Sequence, residues 1–194
     1  MTENPIDLDK PLFPISVVAL GSRRNPSTMR AWIQRGRVTL SPSDEPASTP
    51  GETRLLTFRT ALTFGATAAL VRQGVDPADA FEAAKSWTHS GDSLGVPPHN
   101  LPREPAGLYG DAWYTLMLYF GEGKRPTSII PVPIQAEDIV TLPRSWIFGE
   151  YLPACTIVTL DGVYYQMLVV CNGYLRDTAE IPAEPTDAEW TVRD

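Results

Sequence analysis

The sequence predicts a mixed α+β chain, with short helices in the first half and a small, mainly β module in the second. Three observations carry this. Nineteen of the 194 residues are proline, about twice the usual ~5%. They cluster near residues 42–50, 97–105, 126–133 and 182–185, and a long helix cannot cross such a cluster, because proline lacks the amide donor and clashes with the preceding turn. In the first half, helix-start and helix-stop residues stand between the clusters at helical spacing. Beyond residue 110 the pattern changes to short aromatic and β-branched runs bounded by glycines.

Residues 1–11 read as a flexible tail. Phe13, Ile15, Val17, Val18 and Leu20 make a short apolar segment, helix or strand, ended by Gly21. Asn25 caps a helix whose first position is Pro26, where the missing amide costs nothing. That helix runs over residues 26–35 and stops at Gly36. Its buried stripe is Met29, Trp32 and Ile33, while Ser27, Arg30, Gln34 and Arg37 fall largely on other faces. Val38–Leu40 and Thr53–Leu56 read as the strands of a small hairpin around the proline-spaced loop 41–51, the whole spanning residues 38–56. Thr57 caps the next helix, Phe58–Gln73, with Leu62, Ala66, Leu70 and Val71 at helical spacing and Gly74 as its stop. Asp76-Pro77 starts a further helix carrying Ala80, Phe81 and Ala84 through Trp87.

Residues 89–110 are dense in Gly, Pro and polar side chains and read as a linker. Ala112–Phe120 reads as a strand. Ser128–Ile134, broken by Pro131 and Pro133, can be at best an edge strand. Cys155–Leu160 and Val163–Cys171 flank Asp161-Gly162, a strong local hairpin signal. The expected organisation is therefore a helical domain over 12–88, a linker over 89–110, a β-rich domain over 111–178 and an acidic tail over 179–194 anchored by Trp190. Trp113, Tyr114, Tyr119, Phe120, Trp146, Phe148, Tyr151, Tyr164 and Tyr165 read as the core of the β-rich domain in preference to a ligand pocket.

Several function classes are excluded at this level. No apolar run approaches the ~18 residues of a membrane helix. The first 14 residues have neither the basic start nor the apolar core of a signal peptide, and two cysteines make no disulfide scaffold, so the expected compartment is the cytoplasm. His89 and His99, even with Cys155 and Cys171, lack the tight spacing of a metal site; no metal and no cofactor are expected. Ser90, His89 and Asp92 are chain neighbours and cannot orient one another as a catalytic triad. Gly121-Glu122-Gly123-Lys124 lacks the spacing of a phosphate loop, and Glu137-Asp138 reads as a turn or cap. No enzyme is expected.

Charge points elsewhere. The net charge is −7, yet residues 20–60 carry seven arginines against Asp44, Glu45 and Glu52. A basic module joined to an acidic one suits a nucleic-acid binder, because only the basic face must approach phosphate. The alternative is an ordinary solvated surface, with Arg30 and Arg54 paired to Glu52 or Asp44.

Val17-Val18-Ala19, Pro26-Ser27-Thr28-Met29-Arg30-Ala31-Trp32 and Arg35-Gly36, followed by Gly51…Arg54-Leu55-Leu56-Thr57 and Leu70-Val71-Arg72-Gln73-Gly74-Val75, resemble the MerR-like winged helix-turn-helix family. The resemblance covers about residues 13–87. It implies an N-terminal winged helix-turn-helix, with helix 26–35 and wing 38–56 reading duplex DNA, and it implies DNA contacts from Arg30 and from the wing residue Arg54. Ser27 and Thr28, at the helix N-terminus, can bond phosphate or base edges, and Arg23, Arg24, Arg35 and Arg37 can neutralise backbone charge. The expectation is a transcriptional regulator of the nucleoid, acting as a homodimer, whose C-terminal module dimerises, senses a ligand or contacts a partner protein. Two alternatives stand beside it: a phage or mobile-element packaging or excision factor, and a protein-docking module without nucleic acid.

Overall fold

Caps and stops set the first helices. The computed structural model describes residues 6–44, 54–96, 101–121, 127–134 and 155–180. Strand β1 (Pro11–Pro14) leads into α1 (Ile15–Gly21), and a four-residue turn leads into α2 (Pro26–Gln34). Asn25 caps α2 by accepting from the Ser27 amide at 2.9 Å, and Gly36 follows it at φ +67°, the left-handed stop that glycine adopts without strain. Strand β2 (Leu55–Thr57) leads into α3 (Phe58–Arg72), where Thr57 Oγ1 accepts from the Thr60 amide at 3.1 Å. Gly74 ends it, and α4 (Pro77–Thr88) starts under an Asp76 cap. These three caps match the sequence reading.

Helix α3 is the hub. Apart from Arg59 it is buried on every side from Phe58 to Leu70, as a helix so largely apolar must be. Its threonines keep their hydroxyls satisfied inside: Thr63 donates to the Arg59 carbonyl at 2.9 Å and Thr67 to that of Thr63 at 2.7 Å. Helices α1, α4 and α5 (Leu160–Glu180) pack around it.

Strands β3 (Asp92–Val96) and β4 (Leu101–Arg103) form an antiparallel pair, and a second antiparallel sheet has the order β6 (Ser128–Pro133), β5 (Trp113–Tyr119), β7 (Thr156–Thr159). Proline-bearing β6 is an edge strand, as expected. The central strand alternates with period two. Met117 joins the main core with Ile129 and Val158, whereas Leu116, Leu118 and Phe120 form a second cluster with Ile130 and Val132. The fold is thus mixed α+β. Among the described residues no helix is long and apolar enough to cross a membrane.

Four expectations are corrected. The hairpin over Cys155–Cys171 does not form: β7 ends at Thr159 and residues 160–180 are helical. Asp161-Gly162 is a local signal, and it yields to the apolar spacing of Leu160, Met167 and Cys171, all buried on α5. Cys171 is therefore a core helix residue and not a strand residue. The return strand of the expected wing pairs with β1, Phe13 opposite Leu56, and Val38–Leu40 is not a strand; residues 45–53 of the wing loop lie outside the described residues.

The stretch read as a tail is tethered from residue 6 onward. Ile6 and Leu8 pack on the core, the Leu8 carbonyl accepts from the Arg59 amide at 3.0 Å, and Asp9 pairs with Arg59. The stretch read as a linker holds β3, β4 and a buried Arg103. One hydrophobic core accordingly draws on residues from Phe13 to Cys171, so the helical and β-rich segments share it, α5 being wedged against α1 and α3. That seam requires Gly21 and Gly65: a Cβ at Gly21 would sit 2.5 Å from Met167 Sδ, and one at Gly65 would sit 2.8 Å from Val163 Cγ1.

Candidate nucleic-acid interface

Helix α2 is short and amphipathic. Met29 and Trp32 point into the core, with Ile33 packed at its margin. On the opposite side Ser27, Arg30 and Gln34 are exposed, three and four residues apart and therefore on one stripe. Arg35 and Arg37 continue it past the C-terminus, and Arg23 is exposed in the turn before it. Arg23 sits at φ +51°, a left-handed conformation that a non-glycine residue adopts at a cost of about 1 kcal/mol or more. It forms the bend that sets α2 across α1.

The eight residues singled out from sequence separate into two groups. No ion pair or side-chain hydrogen bond among the described residues engages Arg23, Arg30, Arg35 or Arg54; Arg54 is half-buried beside β2, apart from the α2 stripe in sequence, and Thr28 is half-buried on α2. The others have local partners. Ser27 Oγ donates to Asn25 Oδ1 at 2.8 Å. Arg37 forms an exposed pair with Asp76 at 3.3 Å. Arg24 turns inward, its Nη2 donating to the Ala68 carbonyl of α3 at 3.3 Å, where it braces the turn after α1 against α3.

Asp44 changes the electrostatics of this face. It is buried, accepting from the Ser41 and Thr57 amides, each at 2.8 Å, and from Thr60 Oγ1 at 2.9 Å. Its charge is spent on tying the segment after α2 to the start of α3. It forms no ion pair with Arg30 or Arg54 among the described residues. Glu45 and Glu52 lie outside the described residues.

Sequence reading missed Arg72. At the end of α3 it donates to the Ser22 carbonyl at 3.2 Å, and its neighbours Arg24 and Arg23, after burial, hold its pKa below the ordinary guanidinium range. Arg23, Arg24 and Arg72 thus gather at one corner although 48 residues separate Arg24 from Arg72. No local pattern could signal this.

Ser90, His89 and Asp92, considered for catalysis, have partners within the fold. Asp92 accepts from Arg103 Nε at 3.1 Å and from the Tyr109 hydroxyl at 2.8 Å. Ser90 lends its carbonyl to Arg103. His89 closes α4, sharing a 2.9 Å hydrogen bond with Thr88 Oγ1, and burial with the nearby Arg59 holds its imidazole below the usual range. Both cysteines are free, and burial pushes the Cys171 thiol up to about 12, where it carries no thiolate at neutral pH. No three His, Cys, Asp or Glu residues converge as metal ligands among the described residues. His99, Glu137-Asp138, Glu122-Gly123-Lys124, Trp146, Phe148, Tyr151 and Trp190 lie outside them. No protein-family model matches the chain, and no curated protein sequence is similar to it.

Proposed function

We propose that this protein binds duplex DNA as a sequence-reading regulator, with α1, the turn 22–25 and α2 acting as a helix-turn-helix and α2 lying in the major groove. The observation that carries this reading is the stripe Ser27–Arg30–Gln34: exposed, flanked by Arg23 and Arg35, with Arg30 held by no carboxylate of the described residues. A nine-residue helix buried on one side and polar on the other fits a major groove. Arg30 supplies the base-edge contact, while Arg23, Arg35 and Arg37 neutralise backbone phosphate. Arg54, half-buried beside β2, is a further candidate for a phosphate contact. One short helix offers few base contacts, so the reading includes a homodimer that doubles them.

Fluorescence anisotropy of the full chain against duplex from its own upstream region, beside a scrambled duplex and at several salt concentrations, tests this. Arg30→Ala should weaken binding to the native duplex about tenfold or more, and the parent should show a steep salt slope. Equal binding by parent and variant at matched salt would sink the reading. Equal, salt-sensitive binding to both duplexes would favour a packaging role, and absence of binding at low salt would leave a protein-docking module.

A further inference from the structure

A cleft of about 450 Å³ opens where the turn after α1, the C-terminal half of α3 and the first turn of α5 meet. Its polar lining is Ser22, Arg23, Arg72, Thr159 and Gln166, and Gly65 and Gly162 also border it. Among the described residues no carboxylate lines it. Asp161, the acid of the α5 first turn, faces away, its Oδ2 accepting from the Thr115 amide of β5 at 2.7 Å. Two guanidinium groups therefore border one small space without a counter-charge among the described residues, in a protein of net charge −7.

Ser22, at the wall of the cleft, is 3% exposed, and its Oγ, closed off from solvent, finds no hydrogen-bond partner among the described residues, a state that costs about 1–3 kcal/mol. Gly162 and Val163 bring the N-terminal turn of a 21-residue helix to the same space, where amide groups without intrahelical partners and the positive end of the dipole favour an anion. Burial and mutual repulsion destabilise the charged form of Arg72, and a bound anion would relieve that.

We propose that this cleft binds the phosphate-type oxyanion of a small molecule, held by Arg23 and Arg72, by the amino end of α5 and, once its hydroxyl turns to the cleft, by Ser22 Oγ. The volume accommodates a phosphate with a small organic body, and Gln166 and Thr159 offer polar contacts for that body. Because Arg23 is also the left-handed residue of the turn before α2, a ligand on its guanidinium bears directly on how α2 is set. The site stands on its own geometry and does not require that the protein bind DNA.

The test is calorimetric titration of the full chain with inorganic pyrophosphate at low ionic strength. A saturable one-to-one isotherm is expected, weakened about tenfold or more by Arg72→Gln and several-fold by Ser22→Ala, and unchanged by Arg176→Gln at the far end of α5. Arg72→Gln also removes a brace to the Ser22 carbonyl, so Gly162→Glu is the companion variant. Gly162 is exposed and a Cβ there meets nothing within 4 Å, and a glutamate in the first turn suits the helix while setting a negative charge at the cleft. It should keep the parent's melting profile and lose pyrophosphate binding. No saturable heat, or the same isotherm in Gly162→Glu and Arg72→Gln as in the parent, would overturn the proposal. The other source of the same chemistry is the DNA backbone. A small-molecule site is expected still to saturate one-to-one with pyrophosphate on the duplex-bound protein, at a shifted affinity because Arg23 couples the two, and simple competition, each ligand excluding the other, would overturn that assignment in favour of backbone phosphate.

Discussion

Two arginine environments in this protein differ in a way that separates scaffold from surface. At the corner of α4, β3 and β4, Arg103 is 1% exposed and spends its guanidinium on four oxygens: Asp92 at 3.1 Å, the Trp87 and Glu104 carbonyls at 3.1 Å and the Ser90 carbonyl at 2.8 Å. It also lies over the Tyr109 ring. Across the molecule, Arg30 on α2 is exposed and has none of these. A buried cation must be fully partnered because desolvation is costly, whereas an exposed cation without partners is free to meet something outside the chain. Counting arginines cannot make this distinction; counting their partners does.

The largest effect that tests the contrast is at Arg103. Arg103→Met should cost about 3 kcal/mol or more in urea unfolding, because it leaves three carbonyls and the Asp92 carboxylate short of donors. Arg30→Ala should stay within about 0.5 kcal/mol of the parent. If the two variants unfold alike, the contrast fails. Arg59 is intermediate: it grips Asp9 through two bonds of 2.7 and 2.8 Å and donates to the Thr88 carbonyl at 2.6 Å. Arg59→Met should cost about 1–2 kcal/mol in the same assay and should loosen residues 6–10, read as faster amide exchange there.

A smaller effect is expected on the outward face. Asp76→Asn keeps an oxygen for the Ala78 amide, 2.9 Å away, yet releases Arg37 from its only carboxylate among the described residues. Duplex affinity should rise about two- to fivefold, the worth of one exposed ion pair, with the melting temperature nearly unchanged. Unchanged affinity would remove Arg37 from the interface.

The smallest effect is a pH dependence. The bond from Arg59 holds the Asp9 carboxyl below its ordinary value. A depressed folded-state pKa contributes stability above the unfolded value near ~4, and that contribution fades as pH falls through the lowered one. Asp9 is largely exposed, so the change should stay under about 1 kcal/mol. Asp9→Asn should flatten this part of the acid unfolding curve, and a curve identical to the parent's would show that the pair adds nothing.

Local chemistry was legible in the sequence wherever a few neighbouring residues decide the backbone. Asn25-Pro26, Thr57 and Asp76-Pro77 start helices, and Gly36 and Gly74 end helices, because capping oxygens, proline rings and left-handed glycines act within three or four residues. The buried stripe of α2 followed from spacing alone, and Pro131 and Pro133 foretold that β6 would lie at an edge. The polar stripe of α2, including Ser27 and Arg30, was readable for the same reason.

Helix α5 shows where such reading ends. Asp161-Gly162 among β-branched and aromatic residues signals a hairpin, and Gly162 and Gly173 each cost a helix about 1 kcal/mol relative to alanine. Packing reverses this preference: Met167 and Val163 seat against Gly21 and Gly65, residues 98 or more positions earlier. The partner of β2, the burial of Asp44 and Arg103, and the meeting of Arg23, Arg24 and Arg72 are decided in the same way. Each depends on which distant groups share a desolvated space, and the free energy of burying apolar surface or partnering a charge exists only once those groups have come together. The sequence by itself determined where the first helices begin, end and turn their apolar sides; the tertiary structure alone decided which strands pair, which charges go inside, and which arginines remain outside with no partner among the described residues.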